Sequence, residues 1–565
     1  MLNNKLIIYQ VLPRLFGNNN SYCIPNGTIE QNKCGKFADF TPKALKEIKK
    51  LGTTHIWYTG VIEHATQTNY EKYNIKPDHP AVVKGKAGSP YVIKDYFDVD
   101  PDLAIHPDNR MEEFEELIER THNEGLKVII DFVPNHVARQ YHSDKQPNNT
   151  VPLGANDDSS RAFSPYNNFY YIPDTAFHGQ FDMKLDAKEP YHEFPAKATG
   201  NNRFDAHPNS NDWYETVKLN YGVDFINGGN HHFDPIPDTW TKMLEILLFW
   251  ASKQIDGLRC DMVEMVPVEF WEWAVPKVKA QYPNLLFIGE IYQPHLYKLY
   301  IEKGGFDYLY DKVGLYDTLR NIICGNQSAT AITHCWQSLN GIQNKMLNFL
   351  ENHDEQRIAS QFFASNPFKA IPGLIVAACM NTNPILIYFG QELGELGMEA
   401  EGFSGRDGRT TIFDYWSIST IRRWRNNGDF NNKNLGAESV KLLNTYRKIL
   451  NLCRTEKAIN QGLFFDLMYA NIEGWRFNQD KQYTFFRKHK KELILFVVNF
   501  DGVKADVAIN IPQHAFEYLN IKETPTIIGL DLLSNESEEY SLLSTKATNI
   551  SVPKYSARIV KFTLE

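Results

Sequence analysis

The 565-residue chain has no excess of positive charge, no long apolar run and few cysteines. Lys and Arg number 59 against 68 Asp and Glu, a formal charge of -9. Nucleic-acid recognition calls for a basic face, so that class of partner is excluded. No apolar stretch approaches the roughly 20 residues of a membrane-spanning helix. The run within Leu6–Leu12 is too short for the core of a secretion signal and reads as a strand. The seven cysteines (Cys23, Cys34, Cys260, Cys324, Cys335, Cys379 and Cys453) are odd in number and show neither CxxC nor metal-ligand spacing. They fit reduced thiols rather than a disulfide framework, and a cytoplasmic protein is expected. Internal repeats and low-complexity tracts are absent.

What remains is an ordinary globular composition, 42% hydrophobic and 22% charged, on a chain too long for one growing core. The first two-thirds alternate short apolar strands with amphipathic helices. Leu6–Leu12 reads as a strand. Thr41-Pro42 then supplies an N-cap and a first-turn proline for a helix with Leu45, Ile48 and Leu51 on one face. His55–Tyr58 and Lys127–Phe132 are further strands, with a helix over Met111–Asn123 between them. The rhythm stops from about Ala138 to Pro235, a stretch rich in Asn, Asp, Gly, Pro and Tyr and far too long for a simple loop. It resumes with a helix over Thr239–Lys253 and strands ending near Asp261, Glu290, Tyr310, Glu351 and Phe389. Eight strands in a βαβα order imply a closed parallel (β/α)8 barrel. A last barrel helix is expected over Ser439–Arg454, and after about Gln461 the pattern becomes all-β. The expected division is therefore a barrel over 1–137 and 236–460, an inserted subdomain B over 138–235, and a C-terminal β-sandwich over 461–565.

Three of these strands deliver a carboxylate at or just past their ends: Gly257-Leu-Arg-Cys-Asp261, Phe287-Ile-Gly-Glu290 and Phe349-Leu-Glu-Asn-His-Asp354. Core packing explains such groups poorly, because Asp and Glu are almost never buried unless paired. Strand ends of a parallel barrel are where active sites are built. Arg259 and Asp261 are two apart on a strand, so they face the same way. Arg259 is expected to keep Asp261 ionised, and the apolar run before Glu290 to hold a proton on it. Taken singly, each motif has an ordinary structural explanation: a buried ion pair, a rim carboxylate, a satisfied loop histidine.

With Asp131-Phe-Val-Pro-Asn-His136, these peptides form four ordered signatures that resemble the α-amylase family of glycoside hydrolases (family 13) over nearly the whole chain. The resemblance implies a retaining hydrolase of α-1,4-linked glucans, with Asp261 as nucleophile, Glu290 as general acid/base and Asp354 as a stabiliser that holds sugar hydroxyls. It implies substrate contacts from Tyr91, His136, Arg259 and His353, with Tyr91 stacking under the sugar. The 35 Phe, 29 Tyr and 10 Trp supply flat faces on which sugar rings can lie. No cofactor is implied for the chemistry. A structural calcium is implied between barrel and insertion, with Asn135 as a ligand, in keeping with that ion's preference for oxygen donors.

The chain departs from the pattern after Asp261. Typical α-amylases carry Lys and His where Glu264 and Met265 stand here, which weakens a reading of strict endo-acting starch hydrolysis. Val217-Lys-Leu-Asn220 is closer to neopullulanase and cyclomaltodextrinase relatives. Two other readings stay open: a transglycosylase of the same family, and a non-catalytic glucan-binding protein. The second is disfavoured by retention of all three carboxylates. Oligomeric state has no signature in the sequence, and 195–200 and 405–413 have no assigned role.

Overall fold

The computed structural model describes residues 5–403, 405–472, 474 and 476–564. The first four residues and Glu565, which the expected domain ranges include, lie outside the described residues. Eight parallel strands close into a barrel: β1 (Ile7–Val11), β2 (His55–Tyr58), β3 (Lys127–Phe132), β4 (Gly257–Cys260), β5 (Leu286–Gly289), β6 (Tyr308–Tyr310), β7 (Met346–Phe349) and β8 (Ile385–Tyr388). Each strand pairs with its sequence neighbours, and β8 returns to β1 with Ile7 opposite Ile385.

Alternation along the strands divides their side chains between two environments. Ile8, Trp57, Ile129, Ile288, Leu347 and Leu386 form one cluster that fills the barrel. Ile7, Tyr9, Ile56, Tyr58, Val128 and Ile130 join the larger core shared with the helices. Burial on both faces explains why these strands read as continuous apolar runs. Thr41 caps the helix Pro42–Lys49 as its sequence predicts, accepting from the Ala44 N–H at 3.3 Å. The helix Ala437–Thr455 buries Leu442, Leu443, Tyr446, Ile449 and Leu450.

Two excursions leave the carboxyl ends of the strands. After β2 the chain forms an antiparallel ribbon, Ile62–His64 with Ile93–Val99. Between β3 and β4 it forms three short ribbons: His136–Ala138 with Thr216–Lys218, Tyr171–Ile172 with Ala196–Lys197, and Val223–Asp224 with Asn230–His231. The buried Arg139 ties this segment together, donating to the Tyr214 carbonyl (2.6 Å) and to Glu193 (2.7 Å) over the Phe177 ring.

Beyond the barrel lies a six-stranded sheet in the order Leu463–Asp466, Gln482–His489, Glu492–Asn499, Ser556–Thr563, Thr524–Asp531, Ser537–Leu542. All its pairings are antiparallel. A two-stranded sheet, Ala505–Ile509 with Thr548–Val552, and a short helix, Gln513–Leu519, accompany it. Arg487 joins sheet to barrel: its buried guanidinium donates to the carbonyls of Met380, Ala458, Ile459 and Gly462 at 2.8–3.0 Å. Among the described residues no helix is long and apolar enough to cross a membrane.

Candidate active site

Leu258 and Cys260 face the helices, so the residue between them, Arg259, points into the barrel. It is completely buried. One terminal nitrogen lies 2.7 Å from Asp261 and 3.4 Å from Asp131, and the other lies 2.7 Å from Glu290. Its Nε donates to the Tyr310 hydroxyl at 3.1 Å. The rings of Trp57, Tyr91 and Tyr310 surround it. Burial alone would favour the neutral form, but the surrounding acids raise the Arg259 pKa well above its ordinary value. A permanent cation thus sits beneath two carboxyl groups delivered by adjacent strands.

Glu290 follows β5 directly. Its Oε1 accepts from the Tyr292 hydroxyl at 2.6 Å and its Oε2 from the Met262 N–H at 2.9 Å. Met262 reaches that position in a left-handed backbone conformation (φ 44°), a strain characteristic of functional sites. Burial pushes the Glu290 carboxyl up to about 7, with Arg259 opposing and the charges of Asp261 and Asp354 adding to the rise. The guanidinium expected to keep Asp261 ionised does favour its charged form, by charge and by hydrogen bond. Burial outweighs the guanidinium and raises Asp261 too, while a hydrogen bond from Glu290 favours its charged form. The two carboxyls share the Arg259 guanidinium, and burial raises both.

Asp354 stands at the barrel mouth, its side chain 44% exposed, whereas those of Asp261 and Glu290 are 9% and 3% exposed. Although burial opposes ionisation, His353 at 3.1 Å keeps Asp354 below the usual carboxylate range. The other ring nitrogen of His353 meets the Gln10 amide from the end of β1 at 2.8 Å. Tyr91 stacks on His353 with ring centroids 4.8 Å apart. Tyr91, Arg259 and His353 are therefore gathered around the three carboxylates.

His136 and Asn135 are both held by protein partners. His136 is buried, its Nε2 lies 3.0 Å from the Tyr91 carbonyl, and its Nδ1 lies 3.1 Å from the Asn135 amide nitrogen. Both ring nitrogens are engaged by protein, and the ring is held against the Tyr91 backbone. Gly200 packs so closely that a Cβ there would lie 2.9 Å from that of His136. Burial pushes the His136 pKa down to about 3, leaving the ring neutral. Asn135 does not fit a calcium ligand. Its amide oxygen accepts from the buried Lys218 amine, which also donates to the Met265 carbonyl at 3.2 Å, and its amide nitrogen donates to Gly200. The Lys218 amine, whose pKa burial lowers to about 7, already occupies the oxygen that a metal would need.

Sequence reasoning misses Trp57 and Tyr310, because an aromatic in an apolar run carries no mark of the site, and Gln10 and Tyr292, which lie outside the four signatures. Glu264 enters the sequence reading only as a departure from the family pattern. Its carboxylate accepts from the N–H groups of Tyr292 and Gln293, both at 3.1 Å, and so fixes the turn that carries Glu290. The loop 405–413 also gains a place: Arg357 donates to Thr410 (2.8 Å) and Gln356 to the Asp407 carbonyl (3.0 Å), behind Asp354.

The family description "Alpha amylase, catalytic domain" matches residues 10–435, three-quarters of the chain. The chain belongs to the α-amylase family. It is a glycoside hydrolase with the family's barrel and a C-terminal antiparallel β region. It is 25% identical to "Alpha-amylase 3" of Dictyoglomus thermophilum over 391 residues, 66% of this chain and 68% of that one. Identity to "Neopullulanase 2" of Thermoactinomyces vulgaris is 21% over 529 residues, 90% and 71% of the two chains. Among solved structures, a maltogenic α-amylase, AmyB from Thermotoga neapolitana, superposes with a TM-score of 0.62 at 19% identity over 99% of both chains. The neopullulanase-like character of Val217–Asn220 agrees with these α-amylase-family relatives.

Proposed function

We propose that the protein hydrolyses α-1,4-linked glucans and maltodextrins with retention of configuration. The observation that carries this reading is one guanidinium, Arg259, holding Asp261 and Glu290 at 2.7 Å each, with burial pushing the Glu290 carboxyl up to about 7. Retaining glycosidases place their two carboxyls about 5–5.5 Å apart, inverting ones about 6.5–9.5 Å apart to admit a water. Two carboxyls on one guanidinium support the shorter spacing.

In the first step the Asp261 carboxylate attacks the anomeric carbon. Glu290 gives its proton to the departing glycosidic oxygen, and a covalent glycosyl-enzyme forms. In the second step the ionised Glu290 takes a proton from water, whose oxygen displaces Asp261. Asp354, oriented by His353, holds sugar hydroxyls, and Tyr91 offers its face to the ring. His136 and Lys218 act through Tyr91 and Asn135 rather than on the sugar. The expected division into barrel, insertion 138–235 and C-terminal domain belongs to the same reading, with the insertion forming one wall of the cleft.

The test is product analysis on maltoheptaose with Asp261→Asn and Glu290→Gln. Both variants are expected to lose at least about a thousandfold in rate, the scale on which such groups act. Activity retained by Asp261→Asn would remove the nucleophile from this mechanism. Products of inverted configuration would remove the double displacement.

A further inference from the structure

Glu63 lies in the first strand of the ribbon after β2, and Asp95 and Asp98 lie in its partner. The register slips on both sides of Glu63. Carboxylate oxygens of Glu63, Asp95 and Asp98 lie within 4.8 Å of one another, and the three residues are 1%, 0% and 1% exposed. Two of them have evident partners. Asp95 accepts from the N–H groups of Phe97, Asp144 and Lys145 and from the Ser143 hydroxyl, at 2.7–3.0 Å. Asp98 accepts from the Val99 N–H and from two nitrogens of Arg110. Glu63 is the exception: both of its buried oxygens lack a hydrogen-bond partner.

A buried carboxyl with no donor is costly, and a buried charge must be paired, neutralised or bound to a metal. Three carboxylates facing one guanidinium leave two negative charges unbalanced. Lys94, the other cation close by, is already engaged with Asp78 at 3.1 Å and with the Lys76 carbonyl.

We propose that Glu63, Asp95 and Asp98 bind a calcium ion. The donors are all oxygen, which selects a hard cation over zinc or copper. Calcium accepts irregular oxygen geometry, whereas magnesium demands a near-ideal octahedron and keeps several waters. The charge of the ion equals the charge left over by Arg110. Without it, burial and then the charges of Asp95 and Asp98 raise the Glu63 pKa well above its ordinary value. The site is separate from Asn135, whose oxygen is held by Lys218. Its position couples two parts of the fold. Asp95 also holds the Ser143–Lys145 turn at the start of the insertion, and the same ribbon leads out of Tyr91. Calcium here clamps the tyrosine platform to the insertion.

The experiment uses the full chain, stripped with EDTA and titrated with calcium chloride by calorimetry while thermal unfolding is followed. Wild type is expected to take up one equivalent of calcium and to gain several degrees in Tm. Glu63→Gln, isosteric and removing no hydrogen bond, is expected to fold, to take up none, and to show a Tm indifferent to calcium. Asp95→Asn serves as the second variant. The proposal is overturned if wild type binds no calcium and its Tm ignores EDTA, which would leave a shared proton as the sole neutraliser. It is equally overturned if Glu63→Gln keeps the calcium response, which would place the ion elsewhere.

Discussion

Replacing Tyr292 by Phe isolates the electrostatics of the acid/base residue. The hydroxyl donates to Glu290 Oε1 at 2.6 Å and favours the charged carboxylate, working against the burial that lifts Glu290 to about 7. A hydrogen bond to a charged acceptor contributes about 1.5–3 kcal/mol, and one pKa unit corresponds to about 1.36 kcal/mol. If the protonated carboxyl keeps about half of that bond, its loss raises the Glu290 pKa by about 0.5–1 unit. The acid must be protonated for bond cleavage, so kcat/KM falls as pH rises through the pKa of the Asp261–Glu290 pair. The basic limb for wild type is expected near 7, and for Tyr292→Phe about 0.5–1 unit higher. The assay is kcat/KM on maltoheptaose from about pH 5 to 9. A limb that stays in place, or moves down, refutes the assignment of Glu290 as the acid restrained by Tyr292, whatever happens to the plateau rate.

Arg259→Met strips the shared cation from Asp131, Asp261 and Glu290; breaking such a buried arrangement costs about 3–5 kcal/mol, read by urea denaturation. Equal stability would show that the carboxyls do not depend on it. Arg487→Met orphans the carbonyls of Met380, Ala458, Ile459 and Gly462 and is expected to lower stability by about 3 kcal/mol or more. Proteolysis between 455 and 470 should then precede loss of the barrel, and cleavage at the wild-type rate would refute the joint. Lys218→Met leaves the Asn135 oxygen buried without its donor and is expected to cost about 1–3 kcal/mol. KM should rise more than kcat falls, because His136 and Tyr91 shift together; an unchanged KM would disconnect Lys218 from the platform. Glu264→Ala frees two N–H groups beside Glu290 and should lower kcat with little change in KM.

The barrel was legible because parallel strands buried on both faces must be continuous apolar runs, and crossover helices must carry one apolar stripe. β2 and β3 coincide with their expected spans, and the other barrel strands lie within a few residues of theirs. The C-terminal sheet was less legible. Thr524–Asp531 and Ser537–Leu542 were not anticipated, since their exposed faces carry polar residues and break the alternation. The helix Gln513–Leu519 is too short to impose a period.

The sequence alone determined which carboxylates end which strands, and that Arg259 and Asp261 share a face, because strand parity is a local property of the chain. The tertiary structure decided what that parity meets. It placed one cation under two acids, let burial outweigh that cation at Asp261, and seated a lysine amine where calcium was expected. It also set the His136 ring against the Tyr91 carbonyl. Desolvation and pairing depend on neighbours brought from hundreds of residues away, and no local pattern encodes them.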